Sequence, residues 1–290
     1  KKLMKEAERE YEKTKDPKLK AKIAKYNNFQ MARKIQLNSL YGALANQYFR
    51  YYDDRIGEGI TLTGQFIIRE AAKALDEYLN KVCDTDGEVY SFYSDTDSCY
   101  ITLDNLVKKY YNDQSKEKIV NLLDKIGEEK IEPAIAKAMS GLAKYTNAFD
   151  EKIFFKREAI ADRGIWVAKK RYALNVWDNE GVRYEEPKLK VMGLEIVRSS
   201  TPAPVRDSLK EAVRICLLED EKALQDFINV TKEDFCRRPV QEIAFPRGCN
   251  NLDKYSSAAD IYQKGTPIQV RGALLYNNEL KKHRLGMKYP

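Results

Sequence analysis

Residues 90–103, "YSFYSDTDSCYITL", constrain the fold more than any other stretch of the chain. Aromatic and β-branched residues flank a short polar interruption, which predicts two strands joined by a turn over 94–97. The turn carries Asp95 and Asp97, one residue apart. Two unit charges about 6 Å apart repel by roughly 3 kcal/mol at an effective dielectric of 20. Asp and Ser are ordinary hairpin-turn residues, and that alone accounts for "SDTDS" in isolation. The apolar flanks argue for more, because they place the turn at the end of a buried sheet. Carboxylates so placed could share magnesium, a cation commonly held by one or two carboxylates and a substrate's phosphates.

The surrounding pattern is mainly helical. Residues 1–30 are rich in Lys, Glu and Ala, and Asp16–Pro17 predict a stop and a restart between two helices. A second helical pattern runs from Asn27 to Tyr52, and a third over 58–81, with Ile67, Ala71, Ala74, Leu75 and Tyr78 on its apolar face. Helix returns over 116–145 and strand over 152–160. "RYALNVWDNEGVRYEEP" predicts a hairpin turning at Asp178–Gly181. Prolines in "SSTPAP" at 199–204 mark a boundary, and residues 205–235 read as helix. Helices, then strands broken by helices, then helices predict an α+β fold.

Composition narrows the chemistry. Of the 290 residues 43% are hydrophobic and 33% charged, a soluble globular balance with room for a substantial core. No apolar run is long enough to span a bilayer, and the first ten residues have no signal-peptide core. The five cysteines are odd in number, scattered and free of any C-x-x-C pair, which disfavours a disulfide framework or zinc site. His283 is the only histidine, so Ser-His-Asp, Cys-His and His-rich metal chemistries are hard to build. The net charge of +7 suits an anionic partner. Residues 1–30 hold ten Lys/Arg against five Asp/Glu, which reads equally as a solvated helix face or as phosphate contact.

Two further constellations have chemical content. In "KIQLNSLYG", Lys34, Asn38 and Tyr41 fall within about 60° of one another on a helix, a face presenting a cation, an amide and a phenol. Ile35 and Leu44 point elsewhere and could anchor the helix. Lys34 could neutralise triphosphate oxygens, Tyr41 could lie against a base or sugar, and Gly42 leaves room for close approach. An exposed polar stripe is the plain alternative. In "KKRYALNVW", Lys169, Lys170 and Arg171 could grip a phosphate backbone while Tyr172 touches a groove.

In this order the residues resemble family B DNA polymerases, most closely the T-even-like bacteriophage branch. The family's K-x-x-x-N-S-x-Y-G motif matches Lys34, Asn38, Ser39, Tyr41 and Gly42. Its Y-G-D-T-D-S motif matches Tyr93, Asp95, Thr96, Asp97 and Ser98. The K-K-R-Y segment stands at Lys169 to Tyr172, and "EPKLKVMGLE" and "SSTP" resemble the phage branch.

The resemblance implies template-directed transfer of a nucleotide from a dNTP to a primer 3′-OH with two Mg2+ ions. Asp97 and Asp95 would be catalytic metal ligands, Asp95 close to the primer terminus, and Glu158 a further acidic ligand near the metals. Lys34 would bind the triphosphate, and Asn38, Tyr41 and Gly42 would line the nascent base pair. Thr61, Gly64 and Gln65, with Thr96 and Lys169 to Tyr172, would contact DNA. Fingers helices are expected over 1–56, a palm with an antiparallel sheet over 57–200, and a partial helical thumb over 201–290.

The match has departures. Ser94 replaces a usual glycine and would strain the turn if that position needs positive φ. Gln65 replaces the arginine of T-x-x-G-R. The family's D-x-x-S-L-Y-P motif, which supplies another metal-binding aspartate, is absent from this sequence. The resemblance therefore implies a polymerase piece, truncated or split, whose partners are primer–template DNA, dNTP, an N-terminal polymerase portion and a sliding clamp met through an absent C-terminal tail. It would act in the cytoplasm of an infected bacterial host. A non-catalytic DNA-binding module on the same scaffold is the alternative, and an unrelated basic α+β protein a third.

Overall fold

The computed structural model describes residues 1–111 and 113–279, so His283 and the end of the expected thumb lie outside the described residues. Helices combine with small antiparallel sheets, the α+β class expected. Two compact units divide between Met192 and Gly193.

In the first unit, helix α1 (Lys2–Thr14) ends at Lys15, a left-handed residue, and α2 (Pro17–Leu44) begins at once. Asp16 caps α2 by accepting the Lys18 N–H, with Pro17 in the first turn where a missing N–H costs nothing. The pattern expected over 27–52 is the second half of this one helix, which stops at Leu44. A short irregular link leads to Asp53, whose carboxylate caps α3 (Asp54–Cys83).

Strands β1 (Ser91–Asp95) and β2 (Ser98–Ile101) pair as a hairpin that turns at Thr96–Asp97. It is half-buried rather than the end of a buried sheet, because the sheet has only these two strands. Side chains alternate across it. Cys99 and Ile101 pack on a core of Ala71, Leu75, Ile131, Ile135 and Met139, while Tyr93 and Tyr100 join a second core around Tyr172, Leu174 and Val176.

After α4 (Asp104–Tyr110), residues 116–145 form α5 (Lys116–Ile126), a π turn (Gly127–Ile131) and α6 (Glu132–Tyr145) in unbroken succession. The strand expected over 152–160 begins only at Ala159, because the Arg157 N–H is drawn to the Glu132 carboxylate, 2.8 Å away, and not to a ladder partner.

Strands β3 (Ala159–Ala168), β4 (Arg171–Asn179) and β5 (Val182–Met192) make an antiparallel sheet in that order. The β4–β5 turn sits at Glu180–Gly181, both with positive φ as a tight hairpin requires. Asp178 lies inside β4 and is buried.

In the second unit, the helix expected over 205–235 is two: α7 (Ala203–Leu218) and α8 (Glu221–Arg237), interrupted where Asp220 caps α8. Short helices α9 (Val240–Ile243) and α10 (Leu252–Tyr255), strands β6 (Ser256–Ser257) and β7 (Ile261–Tyr262), and α11 (Ile268–Glu279) follow. Leu252, Val270, Ala273 and Leu274 form the core there. No described helix is long and apolar enough to cross a membrane.

Candidate active site

Asp76 on α3 sets where β1 starts. Its carboxylate accepts the Tyr90 and Ser91 N–H groups at 3.0 and 2.7 Å and the Ser91 hydroxyl at 2.7 Å. At the far end of the hairpin Asp95 pairs with Ser98, and Thr96 between the two aspartates has φ 59°. A β-branched residue in the left-handed region costs roughly 1–2 kcal/mol. The strained position is therefore Thr96, while Ser94 lies in regular strand, so the glycine-to-serine departure brings no positive-φ penalty.

The two carboxylates have different surroundings. Asp95 is half-buried and takes the Lys170 Nζ at 2.9 Å and the Thr96 hydroxyl at 3.1 Å. Asp97 is exposed, and its charge adds to that of Asp95 on the Lys170 ammonium. Lys170 also donates to Thr96 Oγ1 at 2.9 Å, and its backbone N–H donates to the Tyr93 hydroxyl at 2.8 Å. Its hydrogen bond to Asp95, and then the charge of that carboxylate, hold the Lys170 ammonium above the usual lysine range, so it stays cationic. The β3–β4 turn, with Lys169 and Lys170 both exposed, thus touches the aspartate turn directly.

Tyr172 is 3% exposed. Its hydroxyl lies 2.6 Å from that of Tyr100, and burial, followed by that bond, pushes its phenol up. It braces the hairpin from below, so in this conformation it cannot touch a groove as expected. Tyr93, Tyr100, Trp166 and Tyr172 pack with ring centroids 5.4–6.1 Å apart, within the range of favourable aromatic pairs. On the other face, burial and then the Asp76 charge push the Cys99 thiol up to about 11, which keeps it protonated and removes it from nucleophilic chemistry.

Lys34, Asn38, Tyr41 and Gly42 are all exposed on α2, and a side chain at Gly42 would meet nothing. Ile35 is 59% exposed, so it does not anchor the helix. Leu19 is the one buried residue of α2. On α3, Thr61, Gly64 and Gln65 share a side, with the Thr61 hydroxyl spent on the Gly57 and Glu58 carbonyls at 3.1 and 2.8 Å.

Lys34 lines an open cleft of about 440 Å³ with Gln30, Glu158, Tyr184, Lys188 and Lys190. Glu158 is half-exposed there, with its carboxylate 2.6 Å from Lys190 Nζ. Opposite, burial pushes the Glu180 carboxyl up, but hydrogen bonds and charge from Lys1, with Lys5, carry it below the usual range. Asp95 and Asp97 are not among the residues lining this cleft. The structure therefore brings Asp95, Asp97, Thr96 and Lys170 together at one place and Lys34 with Glu158 at another.

The family model for DNA polymerase family B matches residues 2–244. The chain belongs to DNA polymerase family B. It is 42% identical over 262 residues to the DNA-directed DNA polymerase of Escherichia phage RB69, covering 87% of this chain and 29% of that relative. With the DNA-directed DNA polymerase of Enterobacteria phage T4 the figures are 39% over 260 residues, 86% and 29%. The DNA polymerase of Archaeoglobus fulgidus is 29% identical over 269 residues, 90% and 26%. The chain thus spans under a third of the length of the polymerases it matches.

Two site features escaped the sequence reading. Asp76 interrupts the α3 apolar repeat between Leu75 and Leu79, a misplaced carboxylate that signals a backbone clamp. Lys170 counted only as a DNA contact, and nothing in its sequence surroundings points to Asp95.

Proposed function

We propose that this chain supplies the nucleotide-contacting part of a phage-type DNA-directed DNA polymerase, which transfers a deoxynucleoside monophosphate from a dNTP to a primer 3′-OH with release of pyrophosphate. The observation that carries the reading is the turn at Asp95–Asp97, which holds one exposed carboxylate beside a second that Lys170 already neutralises. All the donors here are oxygen, as magnesium prefers, and one or two carboxylates with substrate phosphates suffice for that cation. The turn therefore fits part of a Mg2+ site, with Asp97 and Asp95 as ligands; a two-Mg2+ site would need Glu158, which lies in the separate Lys34 cleft, and carboxylates from elsewhere. When bound, the ions would supply charge neutralisation at the attacking and leaving oxygens.

The rest falls to the chain's own side chains. Lys34 neutralises the triphosphate, and Asn38, Tyr41 and Gly42 shape the space for the new base pair. Lys169, Lys170 and Arg171, with Thr61, Gly64, Gln65 and Thr96, follow the primer–template backbone, and buried Tyr172 keeps their turn against the hairpin. For Lys34 and Asp97 to act on one triphosphate, α2 has to swing its polar face toward the hairpin tip. Leu19 is its only buried residue, and the helix packs mainly on α1. Among the described residues no three acidic, histidine or cysteine side chains stand close enough to enclose an ion. We place the remaining carboxylate on a polymerase portion bearing D-x-x-S-L-Y-P, in the same chain or a separate subunit. The assembly would meet a sliding clamp and work in the cytoplasm of an infected bacterium.

A DNA-binding module without catalysis is favoured by one observation, the absence of Asp95 and Asp97 from the Lys34 cleft. Primer extension by the chain with a complementing portion that bears D-x-x-S-L-Y-P separates the two. Asp97→Asn should abolish extension while duplex binding persists. Extension unchanged by that substitution would leave only the binding module.

A further inference from the structure

Glu158 reaches the Lys34 cleft from a segment, residues 151–158, that belongs to no strand. Only its last residue is tied to the sheet, where β3 begins at Ala159. Its neighbour Arg157 is held from three sides instead. The guanidinium donates Nη1 to Asp178 and Nη2 to Asp124, and the backbone N–H donates to Glu132. Arg183 completes the cluster, with Nη2 3.2 Å from Asp124 and Nε 3.5 Å from Asp178. The Glu180 N–H then donates to the Glu158 carbonyl at 2.5 Å, fixing the next peptide.

Asp124 and Glu132 lie either side of the π turn. On a regular α-helix eight residues leave side chains about 80° apart. The wider turn, in which the Glu132 N–H bonds to the Gly127 carbonyl, takes up part of that offset. Both carboxylates can then meet one arginine. A β-carbon at Gly127 would sit only 3.5 Å from Arg157 Cγ, so the turn lies directly against the arginine it serves. Apolar side chains would fill such a site at least as stably as two arginines and two aspartates. What the charged cluster adds is direction.

We propose that Arg157 is the positioning residue for Glu158: gripped by Asp124, Asp178 and Glu132, it aims a strandless segment so that the adjoining carboxylate enters the cleft beside Lys34 and Lys190. The inference rests on the reading above, in which Glu158 serves the nucleotide and metal site. Two variants loosen the grip. Arg157→Lys keeps the charge and loses the fork, and Asp124→Asn weakens the partly exposed arm without stranding the buried Asp178.

Hydrogen exchange at the Glu180 amide reads the segment's position with no ligand present, and fluorescence of mant-dATP with Mg2+ reads the cleft. Both variants should speed that amide's exchange by about tenfold more than they speed exchange of the β4 amides, which report any global loss of stability. They should lower Mg2+-dependent mant-dATP affinity as far as Glu158→Gln does, and in the Glu158→Gln background they should add no further loss. Unchanged exchange in both variants, or affinity losses that add to that of Glu158→Gln, would overturn the inference. If Glu158→Gln or the wild-type chain shows no Mg2+-dependent binding to lose, the reading of the cleft fails instead, and the exchange result alone decides what Arg157 holds.

Discussion

Hairpin β1–β2 and helix α2 each present a polar set to solvent, and they are held in opposite ways. The hairpin is clamped at its base by Asp76, packed on one face against α3 and α6, braced on the other by tyrosines and a tryptophan, and tied at its tip by Lys170. Helix α2 shows Lys34, Asn38 and Tyr41 on one side and Phe29, Leu37 and Leu40 on others, all exposed, with Leu37 at 71%. In the hairpin the residues that place the carboxylates are also core residues. On α2 the polar set and the packing are separate, with the one buried residue, Leu19, near the start of the helix and far along the chain from the polar set.

The sharpest test of that contrast is Tyr172→Ala. Truncating a buried aromatic costs about 3–5 kcal/mol, whereas Tyr172→Phe should cost only about 1 kcal/mol for the bond to Tyr100. Urea unfolding reads both. A Tyr172→Ala protein as stable as wild type would show that the aromatic brace does not support the hairpin.

Gly164→Ala comes next. The added carbon would sit 2.6 Å from the Trp166 ring and 2.7 Å from Leu174, both part of the packed cluster around Tyr172, and this overpacking should cost about 1–3 kcal/mol. The melting temperature should fall by less than for Tyr172→Ala. Smallest of all, Lys34→Ala and Asn38→Ala should stay within about 0.5 kcal/mol of wild type. A loss there as large as that of Tyr172→Ala would mean that α2 is packed after all, and the contrast would disappear.

What the sequence made legible follows the same division. Local signals were strong where the deciding partners are near in the chain: Asp16–Pro17 split α1 from α2, the apolar repeat of 58–81 gave α3, and "SDTDS" between aromatic runs gave the hairpin. They misled where a distant group decides. "KIFFKREAI" reads as a strand from its β-branched and aromatic residues, yet Glu132 takes the Arg157 N–H away from any ladder. Tyr172 sits among three cations and reads as a surface residue, yet the register of β3 on β4 turns it inward opposite Trp166. Ile35 reads as an anchor because helical periodicity says which way a side chain points, not whether anything is there to receive it. At the candidate site the residue types were legible, and the Lys170–Asp95 tie, spanning 75 positions of chain, was not.

Thr96 has one more consequence, for anyone wishing to reuse this loop. A threonine forced to positive φ would relax in a free peptide, and with it the gap between the flanking acids. What keeps it in place is borrowed: a lysine from another hairpin, and a tyrosine and a tryptophan from another sheet. Residues 90–103 are thus not a portable cassette, and grafted onto a foreign scaffold they would transfer the letters of the motif without its shape.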